Sequence, residues 1–350
     1  MKRLTNLLGS RILKTGLAVF ITASICHLLG LSSIFAVVTA IVTIEPTVSD
    51  SIRKGIVRLP ASAIGAGISM TCASLLGDAP ITYTLSAILT IFLCHKFKLD
   101  AGILVATLTA VTMIPFTPDH YLFAFFTRLG TTTIGLFVST IVNLLILPPD
   151  YSKRITQNIL DGYENCSIIL SEQSTNLVKG TLTYNHLESQ LSMIEKTIKD
   201  TLVLCEYKRE EWKYHRFTKK EEDLFQFECN HLKTLKQIHN HMQNLFNVPN
   251  DRKFWCEKEE LKVITGVRAL SNVLKNPLCP TSNNHLLLIN ELDKLFIEAK
   301  GSKQQYTDSG TRFVPEMIIL FEIITINDLI IEVANRSTQN TSESRSKIEA

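Results

Sequence analysis

Charge is scarce in the first 150 residues of this sequence, and C-x-x-C pairs and glycine-rich phosphate loops are missing altogether. Up to Asp150 the chain has 10 Lys/Arg and 6 Asp/Glu, out of 36 and 33 in all. So thin a supply cannot cover a water-facing surface, which excludes an ordinary soluble domain there. With no loop to cradle phosphates, an ATP-driven pump is excluded as well. The eight cysteines, at 26, 72, 94, 166, 205, 229, 256 and 279, are scattered, which argues against a zinc ribbon or a dithiol motif. After Tyr151 the 26 basic residues are interleaved with 27 acidic ones, so there is no nucleic-acid footprint. No catalytic constellation stands out, and no enzyme activity, metal or cofactor is expected.

What is present is hydrophobic length. A helix needs roughly 20 residues to cross about 30 Å of hydrocarbon. Six apolar stretches stand out, at about 12–31, 34–44, 56–76, 81–97, 101–114 and 121–147, of which the first, third, fourth and sixth are long enough to span. The second and fifth are short and stop at Pro46 and Pro115. The basic start resembles a signal peptide, but the apolar sequence continues, so it is read as a retained first span. With the N-terminus inside, Lys2, Arg3, Arg11, Lys14, Arg53, Lys54, Arg58, Lys96, Lys98, Lys153 and Arg154 all fall on the cytoplasmic side. The outer loops then hold no Lys or Arg, as the positive-inside rule requires. The expected location is the cell membrane, with six spans and the N-terminus and C-terminal half in the cytoplasm.

The membrane half repeats at an offset of about 70 residues. Arg58-Leu-Pro-Ala-Ser-Ala-Ile-Gly65 matches Arg128-Leu-Gly-Thr-Thr-Thr-Ile-Gly135, Ser69 matches Ser139, and Cys26-His27 matches Cys94-His95 at offset 68. Three spans per copy make the repeats inverted, and short proline-ended spans in matching places point to a midplane site. The plainer account is that each proline merely ends a helix.

Arg128 falls about eight residues into the sixth stretch, where an unpaired charge is costly. It is read either as an anion-facing or ion-paired group, or as a side chain reaching outer headgroups. Thr39, Thr43, Thr107, Thr109, Thr112, Thr131, Thr132 and Thr133 would line a pathway, or bond their own helix backbone. Glu45 is a candidate partner of Arg128, a proton carrier with His27, or a helix-end carboxylate. Arg53, Lys54 and Arg58 are candidate headgroup and topology anchors.

From Tyr151 the apolar period is helical. Helices are predicted at 152–179, 184–207, 219–246, 253–275, 283–300 and 314–334, forming a cytoplasmic bundle over 151–335 with a disordered tail at 336–350. The third shows a stripe of Leu224, Phe227, Leu232, Leu235, Ile238, Met242 and Leu245. Cys229, His231, His239 and His241 on the same helix read as a solvated surface rather than a metal site. Trp212 and Trp255 read as core anchors. The expected fold class is all-α, a six-helix transmembrane domain of two inverted repeats followed by this bundle.

The basic start Arg11-Ile-Leu-Lys-Thr-Gly16, the Glu45-Pro-Thr47 turn and the Arg58-x6-Gly65 helix start resemble the aromatic acid exporter family. The resemblance covers essentially the whole chain, since bacterial members pair a short membrane half with a helical C-terminal domain. It implies ATP-independent export of aromatic or other small organic acids, and a relation to fusaric-acid-resistance-type transporters. Members commonly carry Gln before the Pro-Thr turn, where this chain has Glu45. The leading reading is a secondary transporter working by alternating access of the two repeats. The alternatives are an anion channel, or a membrane-anchored regulatory or scaffold protein acting through the bundle. Expected partners are membrane lipids, a small organic anion and, as an option, a second copy of the chain.

Overall fold

The computed structural model describes residues 2–116, 121–145, 151–179, 181, 184–213, 217–248, 255–277, 282–301 and 315–346. Among these residues every regular element is helical: twelve α-helices, two short 3₁₀ turns and no strand. The chain divides into two units, residues 1–150 with 207–216, and 151–206 with 217–350.

The first unit holds α1 (Lys2–Leu28), α2 (Ser33–Thr43), α3 (Val48–Leu76), α4 (Pro80–Lys96), α5 (Ile103–Met113) and α6 (Tyr121–Leu145). Local chemistry sets their ends. Thr47 opens α3 by accepting from Asp50 N, so the helix begins at Val48, ahead of the apolar run at 56–76. Gly77, at φ +65°, closes it in a conformation that side chains disfavour. Pro80 starts α4, where its missing N–H costs nothing. Among the described residues three helices are long and apolar enough to cross a membrane: Arg11–Leu28, Val48–Leu76 and Leu122–Leu145. The helices α2 and α5 have 11 residues each, about 16 Å of rise.

Packing in this unit is reciprocal. Helix α2 lies against α6, and α5 against α3. Helix α1 touches α2 and α6, while α4 touches α5 and α3. Two glycines make the closest approaches to a neighbouring helix's backbone. A Cβ at Gly135 would strike Ala36 O, and one at Gly65 would strike Ala106 O. Both pairs are related by the same 70-residue offset. The unit exposes Phe20, Ile56, Phe92, Phe123, Phe126 and Phe137, and buries Thr22, Ser62, Ser69, Thr90, Thr109 and Ser139.

The second unit holds α7 (Ser152–Lys179), most of α8 (Tyr184–Glu211), α9 (Lys219–Phe246), α10 (Glu257–Lys275), α11 (Asn283–Gly301) and α12 (Pro315–Ser346). Thr218 and Glu221 form a capping box that starts α9. The buried stripe of α9 runs through Phe225, Leu232, Leu235, Ile238, Met242 and Phe246, while Leu224 is half exposed. Phe225 thus takes the place the sequence pattern assigns to Leu224, because one residue of helix turns a side chain by about 100°. His231 and His239 are buried, contrary to the expected solvated surface. His239 Nε2 lies 3.1 Å from Leu191 O, and His241 Nδ1 lies 2.6 Å from Glu322 Oε2. Among the described residues no three potential metal ligands converge. Trp255 is buried and Trp212 half-buried. Helix α12 runs on to Ser346 through polar sequence expected to be without structure, since extending a helix costs far less than starting one.

Candidate functional site

Arg128 projects from α6 into the first unit and is 5% exposed. Its Nη2 donates to Thr109 Oγ1 at 2.7 Å. The guanidinium carbon sits 3.9 Å from the centre of the Phe35 ring, a cation–π distance. Among the described residues, Nε and Nη1 have no hydrogen-bond partner. A cavity of about 300 Å³ opens beside them, lined by Ser32, Phe35, Met113, Phe123, Ala124, Thr127, Arg128 and Thr131. Thr109 lies 3.1 Å from Ser62, and Ser62 lies 3.5 Å from Thr132, its counterpart at offset 70. A cation with unused donors in a mostly apolar, partly aromatic cavity suits an anion that carries an apolar body.

A second polar cluster lies at the other end of these helices. Glu45 accepts from Arg58 Nη2, and from Lys54 Nζ at 2.9 Å. Arg58 Nε also donates to Ala101 O at 3.3 Å. Asn143 ties α6 into the cluster, donating to Glu45 O (3.1 Å), Thr47 O (3.2 Å) and Ser51 Oγ (2.8 Å). Its Oδ1 accepts from the buried Lys14 at 2.8 Å. Glu210 and Glu211, in the segment that belongs to this unit, meet the start of α3. Thr47 Oγ1 donates to Glu210 at 3.1 Å and Val48 N to Glu211 at 2.8 Å. Two carboxylates there suit the positive end of the helix dipole. Burial pushes the Glu45 carboxyl upward, but hydrogen bonds and charge from Lys54 and Arg58 outweigh it and hold it below the usual carboxylate range.

The sequence candidates divide accordingly. Glu45 pairs with Arg58 and Lys54, and Arg128 with Thr109 and Phe35, so the two are not partners. Grouped by sequence with Arg53 and Lys54, Arg58 has a side chain only 8% exposed, against 72% for Arg53. Its burial follows from the Glu45 pair. Thr43 meets Ser139 at 2.6 Å, and Thr132 faces Ser62. Thr39, Thr107 and Thr112 bond the backbone of Phe35, Ile103 and Leu108, the commoner use of threonine. His27 is exposed at the far end of α1, about 20 Å along the helix from Lys14, and Glu45 is not near it. Phe35, Ser62 and Asn143 are missing from the sequence candidates. Only Ser62 had a signal there, its match to Thr132.

Helices with apolar side chains outside and hydroxyls inside define a membrane protein. Residues 6–146 match the model of Aromatic acid exporter family member 1, and the chain belongs to that family. It is 40% identical to a UPF0421 protein of Bacillus cereus over 330 residues, 94% of this chain and 93% of that one. A UPF0421 protein of Oceanobacillus iheyensis is 38% identical over 334 residues, covering 93% and 95%. One from Staphylococcus haemolyticus is 35% identical over 273 residues, covering 77% and 83%.

Proposed function

We propose that this protein exports aromatic or other small organic acids across the cell membrane by secondary transport. The observation that carries this reading is Arg128, a buried cation with two nitrogens unpaired among the described residues, beside a cavity walled by Phe35 and Phe123. Family membership supplies the substrate class. In this reading α1–α6 are six spans, with the N-terminus and the second unit in the cytoplasm. They form two inverted repeats, α1–α3 and α4–α6, that rock against each other. The exchange of packing partners at offset 70, and the meeting of Ser62 with Thr132, support the repeat. The membrane potential or a proton gradient drives the cycle, with Glu45 and His27 the candidate proton carriers.

Replacing Arg128 with Ala should abolish efflux of a panel of aromatic acids from cells, with membrane insertion and protein level unchanged. Unchanged efflux in that variant removes Arg128 from the mechanism. Large passive anion currents in planar bilayers would turn the reading toward a channel.

A further inference from the structure

The offset that relates the repeats also relates two arginines in opposite states. Arg128 corresponds to Arg58, Ser32 to Gly102, and Thr131 to Ala61. On the Arg128 side, Ser32, Arg128 and Thr131 line an open cavity. On the Arg58 side the corresponding residues are closed on one another. A Cβ at Gly102 would overlap Ala61 Cβ and come within 3.1 Å of Val57 O and 3.3 Å of Arg58 Cα. Gly102 and Ser32 occupy the same place, the residue before α5 and before α2. The two arginines are both more than nine-tenths buried, and Arg58 Nη1 has no partner among the described residues. They differ in what holds them. Arg128 meets Thr109 and the Phe35 ring, whereas Arg58 holds the carboxylate of Glu45.

We propose that Arg58 is a second substrate-carboxylate position, the inward-facing counterpart of Arg128, and that Glu45 occupies it as a tethered carboxylate while the Gly102–Ala61 contact is shut. This inference rests on the transport reading above. When the repeats exchange conformations, Gly102 separates from Val57 and Ala61, and a cavity like that of Arg128 opens beside Arg58. Glu45 then gives way to the carboxylate of the substrate. A ligand equal in affinity for both states would shift nothing, so the internal carboxylate favours the closed inner side only because it bonds Arg58 there. As a charged group, Glu45 is a strong competitor for Arg58.

The test uses the full chain in vesicles of phosphatidylcholine alone, inside-out for position 61 and right-side-out for position 131, which removes anionic headgroups as ligands. Cysteines placed by Ala61→Cys and Thr131→Cys report the two sides. Labelling by a membrane-impermeant maleimide is read at each residue by peptide mass. Glu45→Gln adds no volume and should raise cytoplasmic labelling at position 61 about tenfold. Gly102→Val, a wedge in the closed contact, should do the same and lower labelling of position 131 from the outer face. In the Glu45→Gln background, benzoate should protect position 61, and adding Arg58→Ala should remove that protection.

Position 61 remaining unlabelled in Glu45→Gln, or benzoate protection that persists without Arg58, overturns the proposal. So does an effect that returns only with phosphatidylglycerol, which makes Arg58 a headgroup site. If Gly102→Val fails to insert, Glu45→Gln carries the test alone. Loss of export in Arg128→Ala alongside an unlabelled position 61 defeats this inference and leaves the transport reading standing. Absence of export by the unaltered chain defeats the transport reading itself, and export that survives Arg128→Ala removes Arg128 from it.

Discussion

The two units are built from helices of similar type turned opposite ways. In the first, aromatic rings such as Phe20 and Phe137 face outward while Thr22, Thr132 and Ser139 are fully or nearly fully buried. In the second, Phe225, Ile238 and Phe246 are the buried residues. Their interiors differ in size as well as polarity. The first unit packs through Ala18, Ala40, Ala61 and Ala106, which let backbones come close. The second fills its centre with large side chains, as water-driven burial favours. The difference teaches that two solvents are at work, and that a single chain average conceals both.

The largest expected effect tests that inversion directly. Phe246→Ala should destabilise the second unit by about 3–5 kcal/mol, because it empties a closely packed site. Phe137→Ala, at an exposed ring of the first unit, should change stability by only about 0.5 kcal/mol. Hydrogen exchange of α9 and α6 amides in the purified chain measures both. Equal losses would break the comparison.

Next in size is a pH effect confined to the second unit. Burial lowers His231 to about 4, so the fold holds the neutral ring. A folded pKa below the unfolded value of roughly 6.5 gives stability that is present above pH ~6.5 and fades as pH falls toward ~4. The loss should reach about 3 kcal/mol at most. His231→Phe should flatten the dependence in denaturant unfolding followed between those pH values. A first-unit transition with the same slope would show that the effect is not local to His231.

How much of this was legible in the sequence follows from range. Charge counts and apolar runs are properties of the chain itself, and they divide it at the boundary between Asp150 and Tyr151. The offset of 70 likewise anticipates Gly65 with Gly135 and Ser62 with Thr132. Contacts that depend on three-dimensional closure were not legible. The pair of Glu45 with Arg58 needs the turn at Pro46 to bring the end of α2 against the first turns of α3. Phe35 meets Arg128 only because α2 packs on α6. The α9 histidines looked solvated because their neighbours along the chain are polar, but α8 and α12 supply partners from elsewhere.

Smaller effects should follow from glycine. Gly135 faces a backbone oxygen, that of Ala36, which cannot rotate aside. Gly162 faces the tip of Leu235, which can. Gly135→Ala should therefore cost about 1–3 kcal/mol. Gly162→Ala should cost less, because the roughly 1 kcal/mol gained in helix propensity offsets a rotamer shift of Leu235. Thermal unfolding of both variants in the same detergent decides it. A larger loss for Gly162→Ala would mean that backbone proximity is not what distinguishes the first unit.

The smallest effect separates buried from exposed ion pairs. Hydrogen bonds from Lys262 and Lys294, each at 2.8 Å, with their charge, lower Glu291 to about 2. Glu45 is also held low, by Lys54 and Arg58 against the upward push of burial, but its side chain is 13% exposed against 38% for Glu291. Both carboxyls contribute stability above their unfolded pKa that is lost as pH falls through the folded one. Solvent ions reach the two unequally. In about 1 M salt the screening length is roughly 3 Å, so attraction across the exposed network weakens while the buried pair is shielded from it. The titration midpoint of Glu291 should rise toward the ordinary carboxylate range in high salt, and Lys262→Ala should raise it further. The midpoint of Glu45 should move little. Carbon-13 carboxyl shifts followed at low and high salt measure both, and equal salt sensitivity would mean that water reaches Glu45 and Arg58 as freely as it reaches the surface of the second unit.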